Sequence, residues 1–179
     1  MSQRESGYER KERDLYETPE WVTEALLPHL PGMRLIWEPA CGSGKMADVL
    51  RKEFPVAATD IERGADFLSR AMPKPPECDA IITNPPYEYG PAFCERALHL
   101  MESVNGFVAM LLRTDFDHAK SRSHLFRDCP AFAKKLVLTK RIVWFEPEPG
   151  AKGKSPSFNH AWFIWDWKHE GAPTLAYGP

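Results

Sequence analysis

Apolar positions fall in short uninterrupted runs that stop on glycine, proline or a polar residue, separated by stretches in which apolar residues recur at helical spacing. Runs of the first kind read as buried strands and stretches of the second as helices. Residues 21–30 (WVTEALLPHL) have helical spacing, with Thr18-Pro19-Glu20 ahead of them as an N-cap and a proline at the first helical position. Residues 34–37 form a short strand that stops at Glu38-Pro39 and meets a glycine loop, Gly42-Ser43-Gly44, with a helix over 46–52 behind it. A second strand over 55–59 ends on Asp60, and a third over 79–83 ends on Asn84. A helix is expected at 91–103, a turn at Asn105-Gly106 and a buried strand at 107–112. Residues 120–133 read as a further helix, 136–138 and 142–145 as strands, and 146–159, rich in Pro, Gly, Ser and Lys, as a long loop. The aromatic run 160–167 is the last strand.

Strands alternating with helices imply an α/β fold, a mostly parallel sheet with helices on both faces. Ligands of such sheets bind beyond the carboxyl ends of the strands. The glycine loop, Asp60 and Asn84 all stand at such ends, so they should line one crevice.

The length, 179 residues, fits one domain. Residues 1–14 are polar and densely charged and are expected to be mobile, with a single unit over 15–179. No apolar run reaches the roughly 18 residues of a membrane span. The charged N-terminus lacks the apolar centre of a signal peptide. Cys41, Cys78, Cys94 and Cys129 form no metal-ligand spacing, which suggests reduced thiols in a cytoplasmic protein without a metal. The net charge of −2 argues against a nucleic-acid partner, but its distribution does not. Residues 113–154 carry ten Lys/Arg against five Asp/Glu. A basic face for nucleic acid and an ordinary solvated surface both fit that stretch. Arg113, Lys120, Arg122, Lys152 and Lys154 are candidates for phosphate contacts and Phe158 for stacking on a base, whereas Trp162, Trp165 and Trp167 suit the core.

Glycines after the first strand let backbone pass close to a ligand. Asp60 follows Gly42 by 18 residues, where a carboxylate can accept both hydroxyls of a ribose. The pair suggests a nucleoside-containing cofactor. Gly42, Gly44 and Ala47 also satisfy the loose dinucleotide fingerprint, so a nicotinamide-dependent oxidoreductase stays open. A phosphate-binding P-loop does not, because Met46 stands where Ser or Thr must follow the lysine and Pro39 replaces the first glycine. Glu38 would repel a pyrophosphate and suit a cationic ligand such as S-adenosylmethionine.

Asn84-Pro85-Pro86-Tyr87 is the most informative segment. The first proline forces Asn84 into an extended conformation, and the pair removes two donors and fixes φ. One rigid corner then presents an amide, a backbone carbonyl and an aromatic ring. An amino group conjugated to a ring is a poor nucleophile. The Asn84 side-chain oxygen and the Pro85 carbonyl can hold its two hydrogens and localise its lone pair for in-line methyl transfer. Tyr87 can stack on the acceptor ring.

These segments resemble the amino-group (adenine-N6) DNA methyltransferases, particularly small phage-type members. Residues 38–44 (EPACGSG) look like that family's cofactor loop, and the resemblance implies S-adenosylmethionine contacts for Glu38, Pro39, Ala40, Cys41, Gly42 and Gly44. It implies ribose and adenine contacts for Asp60-Ile61, a contact of Asp66 with the cofactor's adenine amino group beside Phe67, and closure over the methionine part by Tyr16, Thr18 and Pro19. Asn84 to Tyr87 is the implied catalytic tetrapeptide, with Asn84 also touching the cofactor. Residues 160–166 (HAWFIWD) resemble the closing hairpin strand of the phage members. The implied fold is a Rossmann-like doubly wound sheet of about seven mostly parallel strands with an antiparallel C-terminal strand. The implied partner is DNA, and no segment is long enough for a separate target-recognition domain. The tetrapeptide is shared with protein-glutamine and RNA-guanine methyltransferases, so those acceptors remain alternatives, as does a methyltransferase-like binding module without activity.

Overall fold

The structure is a computed structural model that describes residues 17–144 and 158–179. The segment 1–14, Tyr16, Lys152 and Lys154 lie outside the described residues. Strands β1 (Ile36–Glu38), β2 (Val56–Ala58), β3 (Ala80–Thr83), β4 (Phe107–Arg113), β5 (Phe132–Leu138), β6 (His160–Asp166) and β7 (Thr174–Gly178) form one sheet in the order β2-β1-β3-β4-β6-β5-β7. The first four pair in parallel. β6 runs antiparallel to both β4 and β5, and β7 returns parallel to β5. The fold class expected from the sequence is therefore the one observed, with β6 as the antiparallel strand.

The side-chain period of two along a strand divides each run between two cores. Phe107, Ala109 and Leu111 join Trp162 and Ile164 on the face covered by α1 (Glu20–Glu24) and α2 (Lys45–Leu50). Val108, Met110 and Leu112 join Phe163 and Trp165 on the face covered by α3 (Gly90–Glu102). Such two-sided burial explains why these strands read as continuous apolar runs rather than alternating ones. The tryptophans are core, as expected: Trp162 donates to the Val22 carbonyl at 2.9 Å and Trp165 to the Leu125 carbonyl at 2.6 Å. Trp167 packs partly buried at the margin.

The turn between α3 and β4 needs its glycine. A Cβ on Gly106 would lie 2.7 Å from Met101 Sδ and 2.8 Å from the Asp79 carbonyl. That close approach lets Phe107 donate to the same carbonyl at 2.9 Å, which starts β4 alongside β3.

Four expectations are corrected. The helix expected over 120–133 is a 3-10 segment over Lys120–Leu125, because Ser121 and Ser123 favour tight turns and Pro130 cannot continue a helix. The chain instead enters β5 at Phe132, which makes that strand longer than the expected 136–138. Residues 142–144 carry no strand. The expected helix 21–30 is α1 followed by a 3-10 turn over Leu27–His29, broken where Pro28 enters. β7 was not expected; its Thr174–Gly178 sequence alternates but carries little apolar weight. Among the described residues no helix is long and apolar enough to cross a membrane.

Candidate active site

β1 delivers Glu38 to the carboxyl edge of the sheet, and the chain then turns through the glycine loop. Gly42 (φ 51°) and Gly44 (φ 102°) are left-handed, a conformation costing an ordinary residue roughly 1–2 kcal/mol. Gly44 donates to the Cys41 carbonyl at 2.8 Å and hands the chain to α2. Asp60, almost fully buried, ties this loop to the end of β2. Its Oδ2 accepts from the Gly42 amide at 2.8 Å and its Oδ1 from the Glu62 amide at 2.9 Å. Each oxygen keeps a second lone pair, so the carboxylate can still accept from a ligand hydroxyl. From the other side Arg63 donates to the Gly42 carbonyl at 3.0 Å and contacts Cys41 Sγ at 3.8 Å.

A cavity of about 500 Å³ opens here, lined by Glu17, Gly42, Ser43, Asp60, Glu62, Arg63 and Trp144. That size suits a nucleoside-sized ligand. Glu17 forms an ion pair with Lys45. Its bonds to Lys45 and then Ser43 hold its carboxyl below the usual range. Glu38 is 2% exposed, and its Oε2 has no hydrogen-bond partner among the described residues. Burial pushes its pKa up to about 8, against the opposing pull of Arg51 and the Ala47 amide. A buried carboxyl with an unmet acceptor at the end of β1 fits a group that brings an ammonium or sulfonium, as S-adenosylmethionine does. It suits a pyrophosphate poorly.

β3 delivers Asn84, and all peptide bonds at the corner are trans. Pro85 is buried, while Pro86 and Tyr87 are exposed and the chain winds through Tyr87–Tyr89 into α3. Asn84 Nδ2 donates to Thr18 Oγ1 at 3.2 Å, which fixes the way the amide is turned. Thr18 is buried and does not cap α1; the N-cap is Pro19. Tyr87 Oη lies 2.8 Å from His160 Nε2, and the Trp144 ring stands edge-on to both rings. His160 opens β6 opposite Arg113, the last residue of β4, so the antiparallel strand brings it to the same edge as the parallel strand ends.

Of the expected site residues, Gly42 and Asp60 line the cavity, while Thr18, Glu38, Gly44, Asn84 and Tyr87 stand at or beside the strand ends without being among its lining residues. Pro39 and Ala40 form the turn leading into the glycine loop, and Cys41 is buried against Arg63. Ile61 stands 67% exposed on the turn after Asp60. Asp66 is exposed, and its carboxylate accepts from the Leu68 amide. Phe67 departs from expectation. It is 2% exposed and packed between Trp37 (5.1 Å between centroids) and Phe93 (4.8 Å), so it supports the site from the core instead of lining the cavity. Of the basic candidates, Arg113 pairs with Asp115 and lies 3.9 Å over the Phe158 ring. Arg122 bonds the Phe116 carbonyl and lies over that ring at 4.3 Å. Lys120 is exposed. Much of the positive stretch is thus held in internal contacts, including the bond of Lys135 to Asp117.

Sequence reasoning missed Glu17, Arg63, Trp144 and His160. Glu17 sits inside the segment that carries Thr18, and Arg63 three residues past Asp60, so adjacency was the one available signal. Trp144 and His160 carry no spacing signal, because only the sheet order brings them beside Tyr87.

No known family's sequence pattern matches this chain, and no curated protein sequence matches it. Among solved structures it is similar to a predicted O-methyltransferase, protein Atu636 from Agrobacterium tumefaciens. That match has 14% identity and a TM-score of 0.50, and covers 90% of this chain and 86% of that one. It is similar also to the E. cuniculi Mtq2-Trm112 complex responsible for methylation of the eRF1 translation termination factor. That match likewise has 14% identity, with a TM-score of 0.52, and covers 84% of this chain and 97% of that one. At such identities the likeness concerns the backbone alone: this chain has the fold of these methyltransferases.

Proposed function

We propose that the chain is an S-adenosylmethionine-dependent methyltransferase acting on an exocyclic amino group, with N6 of adenine in DNA as the acceptor. The observation that carries this reading is the Asn84–Tyr87 corner, held by Thr18 and His160 at the sheet edge that also bears the glycine loop and Glu38. S-adenosylmethionine supplies the methyl group. Glu38, the Gly42–Gly44 backbone and Asp60 are the residues that would hold it. Asn84 and the Pro85 carbonyl take the two hydrogens of the acceptor amine, and Tyr87 stacks on its ring. An adenine in a duplex has to be flipped out, or be unpaired already, to reach them. Lys120, Lys152, Lys154, Arg113 and Phe158 are the residues proposed to meet the nucleic acid, within a single catalytic unit. The fold shared with a complex that methylates a translation termination factor favours one second reading, a planar amide on a protein, to which the same corner is equally suited.

The experiment supplies methyl-labelled S-adenosylmethionine with duplex DNA, single-stranded DNA, RNA or protein, then identifies the labelled residue after digestion. Label on N6 of adenine, lost in Asn84→Ala, is expected. Label on glutamine moves the function to the second reading, and label on guanine refutes adenine as the acceptor. No label in any pool sinks the enzyme reading.

A further inference from the structure

We propose that His160 is a positioning residue that fixes Tyr87 in the orientation that receives the acceptor ring. This inference rests on the proposed methyl transfer to a planar amino group. Tyr87 occupies a surface turn between Pro86 and Gly90, and its side chain is 36% exposed. A ring so placed would sample several rotamers and would have to be ordered each time an acceptor stacks on it. Ordering one such side chain costs enough to weaken binding about threefold to tenfold.

The hydroxyl end of Tyr87 reaches His160 Nε2 at 2.8 Å. His160 is 3% exposed and cannot follow the turn, because its backbone is set by the register of β6. It pairs opposite Arg113, and the next residue, Ala161, pairs with Leu112 on one side and Val137 on the other. The two rings lie 5.8 Å apart with a 31° tilt, and Trp144 stands edge-on to each, at 6.4 Å from Tyr87 and 5.2 Å from His160. The phenol is therefore anchored to the sheet while the ring stays accessible. A bond made only to stabilise the fold would more naturally join two buried groups. This one joins a buried strand residue to the exposed ring of the tetrapeptide.

The test compares wild type with Tyr87→Phe, His160→Phe, the double variant and His160→Gln, which restores a polar atom at reach. Acceptor KM and kcat come from methyl transfer, cofactor affinity from calorimetry, and integrity from thermal melting. Each single Phe variant should raise the acceptor KM about threefold to tenfold and leave cofactor affinity within about twofold. The double variant should be no worse than either single one, and His160→Gln should recover most of the loss. Independent multiplication of the two effects would overturn the proposal, and so would an unchanged KM or a parallel fall in cofactor affinity and melting temperature. A readout separate from activity is the nitrogen spectrum of labelled histidine, in which Tyr87→Phe should move the His160 Nε2 signal. If Tyr87→Phe moves that signal while the wild type methylates no acceptor, the functional reading has failed and the bond stands. A signal that stays put would refute the bond itself.

Discussion

Glu38 offers the most stringent test of the proposed cofactor site. Its carboxyl is nearly inaccessible and is held protonated up to about 8 by burial. The folded chain therefore binds a proton that the unfolded chain releases near 4.5, so stability falls as pH rises between those values and levels off above the upper one. Below 6.5 the effect is masked, because His160 works in the opposite sense there. Between pH 6.5 and 8 the Glu38 slope dominates: by itself it gives a loss of about 1.6 kcal/mol, of which the remaining titration of His160 offsets about 0.4 kcal/mol, leaving about 2–5 °C in Tm. Glu38→Gln should flatten this segment of the melting profile. The same carboxyl predicts proton release on binding a cation. At pH 7 it is about nine-tenths protonated, so a ligand ammonium that ionises it should expel about 0.9 proton. Calorimetry of S-adenosylmethionine binding in two buffers of different ionisation enthalpy measures that number directly. Binding without proton release, or release that persists in Glu38→Gln, would refute the assignment of Glu38 to the cationic end of the cofactor.

Asp60→Asn keeps one acceptor but turns an amide donor toward either Gly42 or Glu62, and should cost about 1.5–3 kcal/mol by denaturant titration. An unchanged midpoint would show that the glycine loop holds its shape without that carboxylate. Gly106→Ala drives a methyl into Met101 and the Asp79 carbonyl, with an expected loss of about 1–3 kcal/mol, whereas Gly32→Ala meets nothing within 4 Å and serves as the silent control. His160 has its pKa lowered to about 4 by burial and then by Arg113. It is thus neutral in the fold and charged in the unfolded chain between that value and 6.5, so stability is lost as pH falls through this window. Glu38 acts in the opposite sense over the same window in both proteins, so His160→Gln, read by melting, should gain stability relative to wild type as pH falls from 6.5 to 4.5.

The sequence by itself determined the runs that become β1 to β4 and β6, because burial on both faces of the sheet leaves no alternation to confuse them with loops. It also marked three strand ends by distinctive local sequence. A glycine loop, an acid and an Asn-Pro-Pro-Tyr corner each impose local geometry through φ restrictions and lost donors, and these act whatever the chain does elsewhere. Where local preference was weak, tertiary structure decided. Residues 120–133 have apolar spacing that would suit a helix, yet Phe126 and Phe132 pack against Trp165 and draw the chain into β5. Phe67 stands beside a cofactor-like acid in the chain but faces Trp37 and Phe93 in the fold. Thr18 reads as a helix cap and is instead the partner of Asn84 across 66 residues. His160 reaches Tyr87 because β6 runs against β4, so that its first residue meets the last residue of a parallel strand. Pairings of that range depend on which strands become neighbours, a choice made by the whole core rather than by any segment's own pattern.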